Sequence, residues 1–200
     1  MKQVALILAW WPATIFAMIC GNGVAVKGTG HKPVVYVIMA ISSMGKSTQG
    51  QKLAQYLGTP FYEPDDFHTP ENRAKISSGI PLTDDERWPW LDRMRVEVIE
   101  KHLSEQTGAV MANSALRRIY RERLGIPRDG VQLIYLRGSK EMALSHNQSR
   151  AAHFAPAQTV LNNLAILEEP LPEENAVVVD VDPRGVEYTF HRILTALGFI

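Results

Sequence analysis

The sequence predicts an α/β fold in three layers, a central parallel sheet with helices on both faces. Three observations carry this prediction. Strand-like and helix-like segments alternate from Pro33 to the C-terminus. The strand-like segments, such as "VVYVIM" at 34–39 and "AVVVDV" at 176–181, are unbroken apolar runs rather than alternating ones. That is the pattern of strands buried on both faces. The first of them runs straight into "AISSMGKST" at 40–48, a turn of mostly small residues that opens a helix.

Each element follows in order. Lys46 to Leu57 reads as a helix, with Leu53, Ala54 and Leu57 on one side and Gly58 as its stop. "PFY" at 60–62 is a short second strand, and Asp65 to Arg87 is a polar stretch of loop and short helices. Leu91, Met94, Val98, Ile99 and Leu103 recur at helical spacing, in a helix expected to end at Gly108. "AVMA" at 109–112 is a strand, "SALRRIYRERL" at 114–124 a helix closed by Gly125, and "VQLIYL" at 131–136 a strand. Ser139 caps a helix running towards Arg150. After the last strand, Val186, Phe190, Ile193, Leu194 and Leu197 form a helical stripe. In an open sheet of this kind ligands sit beyond the carboxyl ends of the strands, which is where the 40–48 turn lies.

Composition narrows the function. Two hundred residues suffice for one α/β domain. Lys plus Arg and Asp plus Glu number 21 each, so no global field recruits nucleic acid and any anion must be held by local charge. The cluster of arginines at 117–123 is short and the net charge is zero, so no nucleic-acid partner is expected. The single cysteine, Cys20, excludes an internal disulfide framework and a cysteine-based zinc site. Residues 1–30 stand apart as an extension before the 31–200 domain: an apolar run from Val4 to Cys20, then a glycine-rich linker. The run reads as a dispensable extension or misassigned start, as a signal or membrane anchor, or as a helix packed on the domain. Apart from residues 4–20 nothing suggests a membrane, and use of ATP favours the cytoplasm.

The turn at 40–48 nearly matches the phosphate-binding pattern G-x-x-x-x-G-K-[ST], with Ala40 in place of the first glycine. The expected nucleotide contacts are Ala40, Ile41, Ser42, Ser43, Met44, Gly45, Lys46, Ser47 and Thr48. Backbone N–H groups turn inward as an anion nest, and the following helix adds its positive end. Lys46 brings its ammonium to the β- and γ-phosphates, and the Ser47 hydroxyl serves Mg²⁺. A positive φ at Ser43 would cost on the order of 1 kcal/mol, which weakens such a loop without abolishing it.

The next segment, "FYEPDDFHTPENRAKISSGIPLTDDERWPWL" at 61–91, resembles the signature of the small gluconokinases. "NSALRRIYRERL" at 113–124, "HF" at 153–154, "LEEP" at 167–170 and the terminal "VVVDVD" add to the resemblance, which spans about 165 residues from Val34 onward. It implies a P-loop kinase: α/β/α layers around a parallel sheet, with a small helical lid. It implies transfer of the γ-phosphoryl of ATP, with Mg²⁺, to the 6-hydroxyl of D-gluconate, and dimers are common among such kinases. Residue by residue it implies catalytic roles for Lys46, Asp65 and the lid arginine Arg150, with Asp65 orienting the hydroxyl and accepting its proton. His68, Lys75, Arg87 and Arg121 fall on substrate positions. Arg117 and Arg121, four apart, could share a helix face as a carboxylate clamp. Trp88, Trp90 and Leu91 read as packing residues. The sequence departs from the pattern at Ala40, Ser43, Glu63-Pro64, Asn113, His146, Ala152 and Asn162-Asn163. Two alternatives therefore stay open, a nucleotide- and sugar-acid-binding protein with weakened catalysis and a related small-molecule P-loop kinase.

Overall fold

The computed structural model describes residues 34–149 and 157–200. Its five strands are β1 (Val35–Met39), β2 (Phe61–Tyr62), β3 (Ala109–Asn113), β4 (Val131–Arg137) and β5 (Val177–Asp180). They form one sheet in the order β2-β3-β1-β4-β5, and every pairing is parallel. The three-layer expectation from the unbroken apolar runs is met. Val35, Val37, Ile38 and Met39 of β1 are fully buried, as are Val110, Met111 and Ala112 of β3. Each large apolar side chain so buried contributes about 1.5–3 kcal/mol.

β1 lies at the centre, with Met39 opposite Asn113 on one side and Tyr135 on the other. The chain leaves β1 for β2 and β3 on one flank and reaches β4 and β5 on the other. The carboxyl end of β1 is thus the point where the winding reverses and a crevice opens.

Helix α1 (Lys46–Leu57) begins and ends at left-handed glycines, Gly45 and Gly58, as the sequence led one to expect. After a 3-10 turn at Pro64–Phe67 come α2 (Pro70–Ser77) and α3 (Asp84–Met94). Thr83 and Glu86 start α3 with a reciprocal capping box, so a full-length helix begins inside the stretch read as loop and short pieces. It continues through a π-helical stretch, Arg95–Glu100, into α4 (Lys101–Ser104). The run stops at Ser104 rather than Gly108, because Gln106 takes a left-handed φ of 54° and the Thr107 amide turns back to the His102 carbonyl.

Helix α5 (Arg118–Leu124) ends at left-handed Gly125. Helix α6 (Lys140–Ser149) starts as predicted, the Ser139 hydroxyl accepting from the Met142 amide. Helix α7 (Ala157–Ile166) packs on α6 and was not anticipated, although Val160, Leu161 and Leu164 have helical spacing. After a 3-10 turn at Pro172–Glu174, α8 (Val186–Ala196) carries the expected stripe onto α1 and β5. Residues 1–30 and the lid residues Arg150 and Ala152 lie outside the described residues, as does the apolar run at 4–20. Among the described residues no helix is long and apolar enough to cross a membrane.

Candidate active site

The phosphate loop leaves β1 at the reversal point. Ala40, Ile41 and Met44 turn their side chains into the core, so these residues offer a ligand only backbone. Ser43 takes a positive φ of 67°, so the cost of about 1 kcal/mol tied to that conformation applies, and Gly45 follows at 79°. Two left-handed residues in close succession bend the chain so that it enters α1 at Lys46. The Gly45 carbonyl accepts the first helical bond from the Gln49 amide at 2.9 Å. Gly138, just beyond β4, lets Met44 settle beneath the loop. A Cβ there would lie 2.2 Å from the Met44 sulfur.

Helices α6 and α7 hold the loop from the side. The Ser42 amide and hydroxyl both donate to Asn163 Oδ1, at 2.8 and 2.9 Å. The Ser43 hydroxyl donates to Asn147 Oδ1 at 3.2 Å, and His146 Nδ1 lies 3.2 Å from the Ser43 carbonyl oxygen. Ser42, expected among the nucleotide contacts, thus spends its polar groups on Asn163. The half-buried residues Gly45, Lys46, Ser47 and Thr48 form the open mouth.

Across from the mouth stands the turn after β2. The Ser47 hydroxyl donates to Glu63 Oε1 at 2.8 Å. Burial raises the Glu63 carboxyl above its usual range, the Ser47 bond partly offsets this, and repulsion from Asp65 adds to it. Asp65 is exposed two residues further on. The turn is pinned from behind by α3. The Trp90 indole donates to the Pro64 carbonyl at 2.9 Å and Arg93 to the Phe67 carbonyl at 2.9 Å. His68 stacks on Trp90, with 4.5 Å between centroids and 13° between planes. It is 8% exposed, and its Nδ1 has no hydrogen-bond partner among the described residues. Burial lowers its pKa from the ordinary value, Asp65 opposes this, and Arg73 and Arg87 reinforce it. His68 is therefore a neutral ring at pH 7, able to donate to or accept from a hydroxyl.

The expected cations have different fates. Lys75 pairs with Glu86, and its ammonium, helped by the Thr83 amide, holds Glu86 down to about 2. Arg87 donates to the Tyr120 hydroxyl at 2.8 Å and to Asp84 at 3.4 Å. Arg121, predicted to meet substrate, is fully buried. Its guanidinium makes a fork with Glu174 at 2.5 and 2.9 Å and donates to the Ala115 and Glu168 carbonyls, both at 3.0 Å. It is a structural residue that ties α5 to the segment before β5. The Arg117–Arg121 clamp fails for a local reason. The helix begins at Arg118, and Arg117 is its extended cap, with φ −102° and ψ 147°. The four-residue spacing rule needs both residues inside a helix.

Trp90 and Leu91 are buried and Trp88 packs edge-on against Tyr120, in line with their reading as packing residues. Asn113 is fully buried at the end of β3. Its Oδ1 accepts from the Ala115 amide at 2.8 Å and its Nδ2 faces the Met94 sulfur at 3.2 Å. It shapes the turn that delivers Arg117. Asn147 and Gly138, which sequence reasoning passed over, and Asn163, noted there only as a departure from the family pattern, meet the loop from about a hundred residues away in sequence. No local spacing signals such contacts.

Among the described residues no three His, Cys, Asp or Glu side chains gather to hold a metal. The donors at the mouth, the Ser47 hydroxyl and the Glu63 carboxylate, fit a hard cation that takes most of its ligands from phosphate oxygens and water.

A nest of amides at a sheet's reversal point, facing an acidic turn within hydrogen-bond reach, is the layout of a small P-loop kinase. It brings a nucleotide's terminal phosphate to an alcohol. The family model for shikimate kinase matches residues 42–198. A probable gluconokinase from Dictyostelium discoideum is 39% identical over 149 residues, covering 72% of this chain and 74% of that protein. One from Rattus norvegicus is 33% identical over 183 residues, covering 82% of this chain and 98% of that protein. The crystal structure of a gluconokinase from Sinorhizobium meliloti 1021 superposes with a TM-score of 0.72 at 37% identity, over 84% of this chain and 93% of that one. Within the shikimate-kinase-like fold, the chain belongs to the gluconokinase family.

Proposed function

We infer that the protein transfers the γ-phosphoryl group of ATP to the 6-hydroxyl of D-gluconate, giving 6-phospho-D-gluconate. The observation that carries this reading is the 2.8 Å bond between the Ser47 hydroxyl and Glu63. It joins the phosphate loop to the 61–91 segment, and the charges of Lys46 and Asp65 both act on Glu63, which supports their serving the same ligands. The relatives named gluconokinase support the choice of acceptor.

We propose the following division of labour. The amides at 43–48 and the Lys46 ammonium hold the nucleotide's tail and offset the charge that builds on the moving phosphoryl. Asp65 accepts the hydroxyl proton as the oxygen attacks in line. His68, kept neutral by burial and stacked on Trp90, reads a hydroxyl of the polyol chain. Ser47 and Glu63 would hold Mg²⁺, which would supply positive charge to offset that of the nucleotide's phosphates. Arg150, which lies outside the described residues, is assigned by the resemblance alone to supply positive charge to the transferring phosphoryl group. The chemistry needs ATP, which places the protein with the cell's nucleotide pool.

The test is ADP release in a coupled assay with ATP, Mg²⁺ and a panel of gluconate, shikimate and nucleoside monophosphates. Gluconate should be the turned-over acceptor, and Lys46→Ala should abolish release. A panel in which shikimate outruns gluconate would overturn the reading.

A further inference from the structure

The cations of the cleft are arranged around a carboxylate that belongs to the protein itself. Asp84 opens α3. Its Oδ1 accepts from the Tyr120 hydroxyl at 2.6 Å and from Arg87 at 3.4 Å, and its Oδ2 accepts from Arg117 at 2.7 Å. Both guanidinium carbons lie 5.4 Å from the centroid of the Tyr120 ring. Tyr120 is 4% exposed, so the brace is rigid. The charged ends are wet, with side-chain exposures of 21% for Arg87, 36% for Arg117 and 40% for Asp84. The Nε of Arg117 also faces Glu168 at 3.8 Å. Three donors on a fixed ring thus engage both oxygens of one carboxylate, in the geometry that recognition of a carboxylate requires.

The cluster belongs to the cleft. Arg87 is one turn of α3 before Trp90, on which His68 stacks, and its charge is felt at His68. Asp65 and Arg87 both act on His68, and Asp84 links Arg87 to Arg117, so the four side chains form one series of neighbours. A linear sugar acid carries its carboxylate at the end opposite its primary hydroxyl. With the hydroxyl at Asp65, the acid end falls further along this series, where Arg87 and Arg117 follow His68.

We propose that Arg87 and Arg117, braced on Tyr120, form the carboxylate subsite for the sugar-acid substrate, and that Asp84 occupies this subsite until the substrate's carboxylate displaces it. The proposal rests on the gluconate reading above and adds to it Arg117 as a specificity residue and Asp84 as an internal competitor. An exposed ion pair is weak enough to exchange for another carboxylate without loss of fold. The Tyr120 hydroxyl, backed by Arg117, holds Asp84 below the usual carboxylate range. The pocket thus favours the ionised acid over a neutral sugar.

The experiment is steady-state kinetics of the full chain with gluconate and ATP varied in turn. Arg117→Met should raise the gluconate KM by about tenfold to a hundredfold, the worth of a charge-assisted hydrogen bond, and leave the ATP KM in place. Asp84→Asn keeps the shape and the bond from Tyr120 but removes the competing charge, and it should lower the gluconate KM. Opposite signs from the two substitutions are the signature of displacement. If Arg117→Met does not fold, Arg117→Lys keeps the charge, loses the planar fork, and should still raise the gluconate KM several-fold. A rise in gluconate KM with Asp84→Asn would overturn the proposal, showing Asp84 to be a supporting member. So would an unchanged gluconate KM, or an equal rise in both KM values, with Arg117→Met. Failure of the gluconate reading is a separate result, because it would show in the unmutated protein.

Discussion

Replacing Arg121 by methionine separates the role predicted for this residue from the one it has. The substitution keeps roughly the length of the side chain and deletes its charge. It leaves the Glu174 carboxylate, 3% exposed, with the Leu171 amide at 2.9 Å as its remaining donor, and it strips the Ala115 and Glu168 carbonyls of theirs. Removing one partner of a buried ion pair costs about 3–5 kcal/mol. For a chain of this size each kcal/mol lowers Tm by roughly 2–4 °C, so a fall of about 6–20 °C is expected. Thermal melts followed by circular dichroism measure it, with urea midpoints at constant m as a check. Replacing Arg121 and Glu174 together with methionine should recover much of the loss, since the penalty comes from the stranded charge. A Tm within about 2 °C of the parent, together with a raised gluconate KM, would refute this reasoning and return Arg121 to the substrate.

Three further outcomes are expected. Gly50→Ala would put a Cβ 2.4 Å from the Phe61 ring, and the overpacking should cost about 1–3 kcal/mol, read from the urea midpoint. Asn163→Ala frees the Ser42 amide and hydroxyl. It should raise the ATP KM by about twofold to tenfold, the worth of one or two net hydrogen bonds, without moving the gluconate KM. Stability should also fall on acidification in two stages. Burial depresses His68 in the folded state, so the unfolded chain takes up that proton first. The contribution is complete above the ordinary value of about 6.5 and is lost as pH falls through the folded one. Glu86, held at about 2 mainly by Lys75, repeats this from its ordinary 4.5 downward. His68→Gln should flatten the first stage of Tm against pH and leave the second.

The central part of the fold was legible because its signals are local. β1, the loop and α1 are contiguous, and buried strand, glycine and helical stripe each act over a few residues. The start of α3 was missed although its capping box is a sequence signal, because the prolines and glycine around it read as loop. Helix α7 was missed because Asn162 and Asn163, weak helix formers, interrupt its short apolar spacing.

The sequence by itself determined that a nest of amides would stand at the carboxyl end of the central strand, next to a segment rich in carboxylates and cations. Periodicity and turn chemistry act between near neighbours and suffice for that. Tertiary structure alone decided which cation does what. Arg117 and Arg121 are four residues apart, yet one reaches Asp84 in the cleft and the other Glu174 in the core. Ser42 is held by Asn163, 121 residues away. Such pairs are set by how helices pack across the sheet and where each helix begins, and a charge is assigned to substrate or scaffold by the partner that packing brings to it.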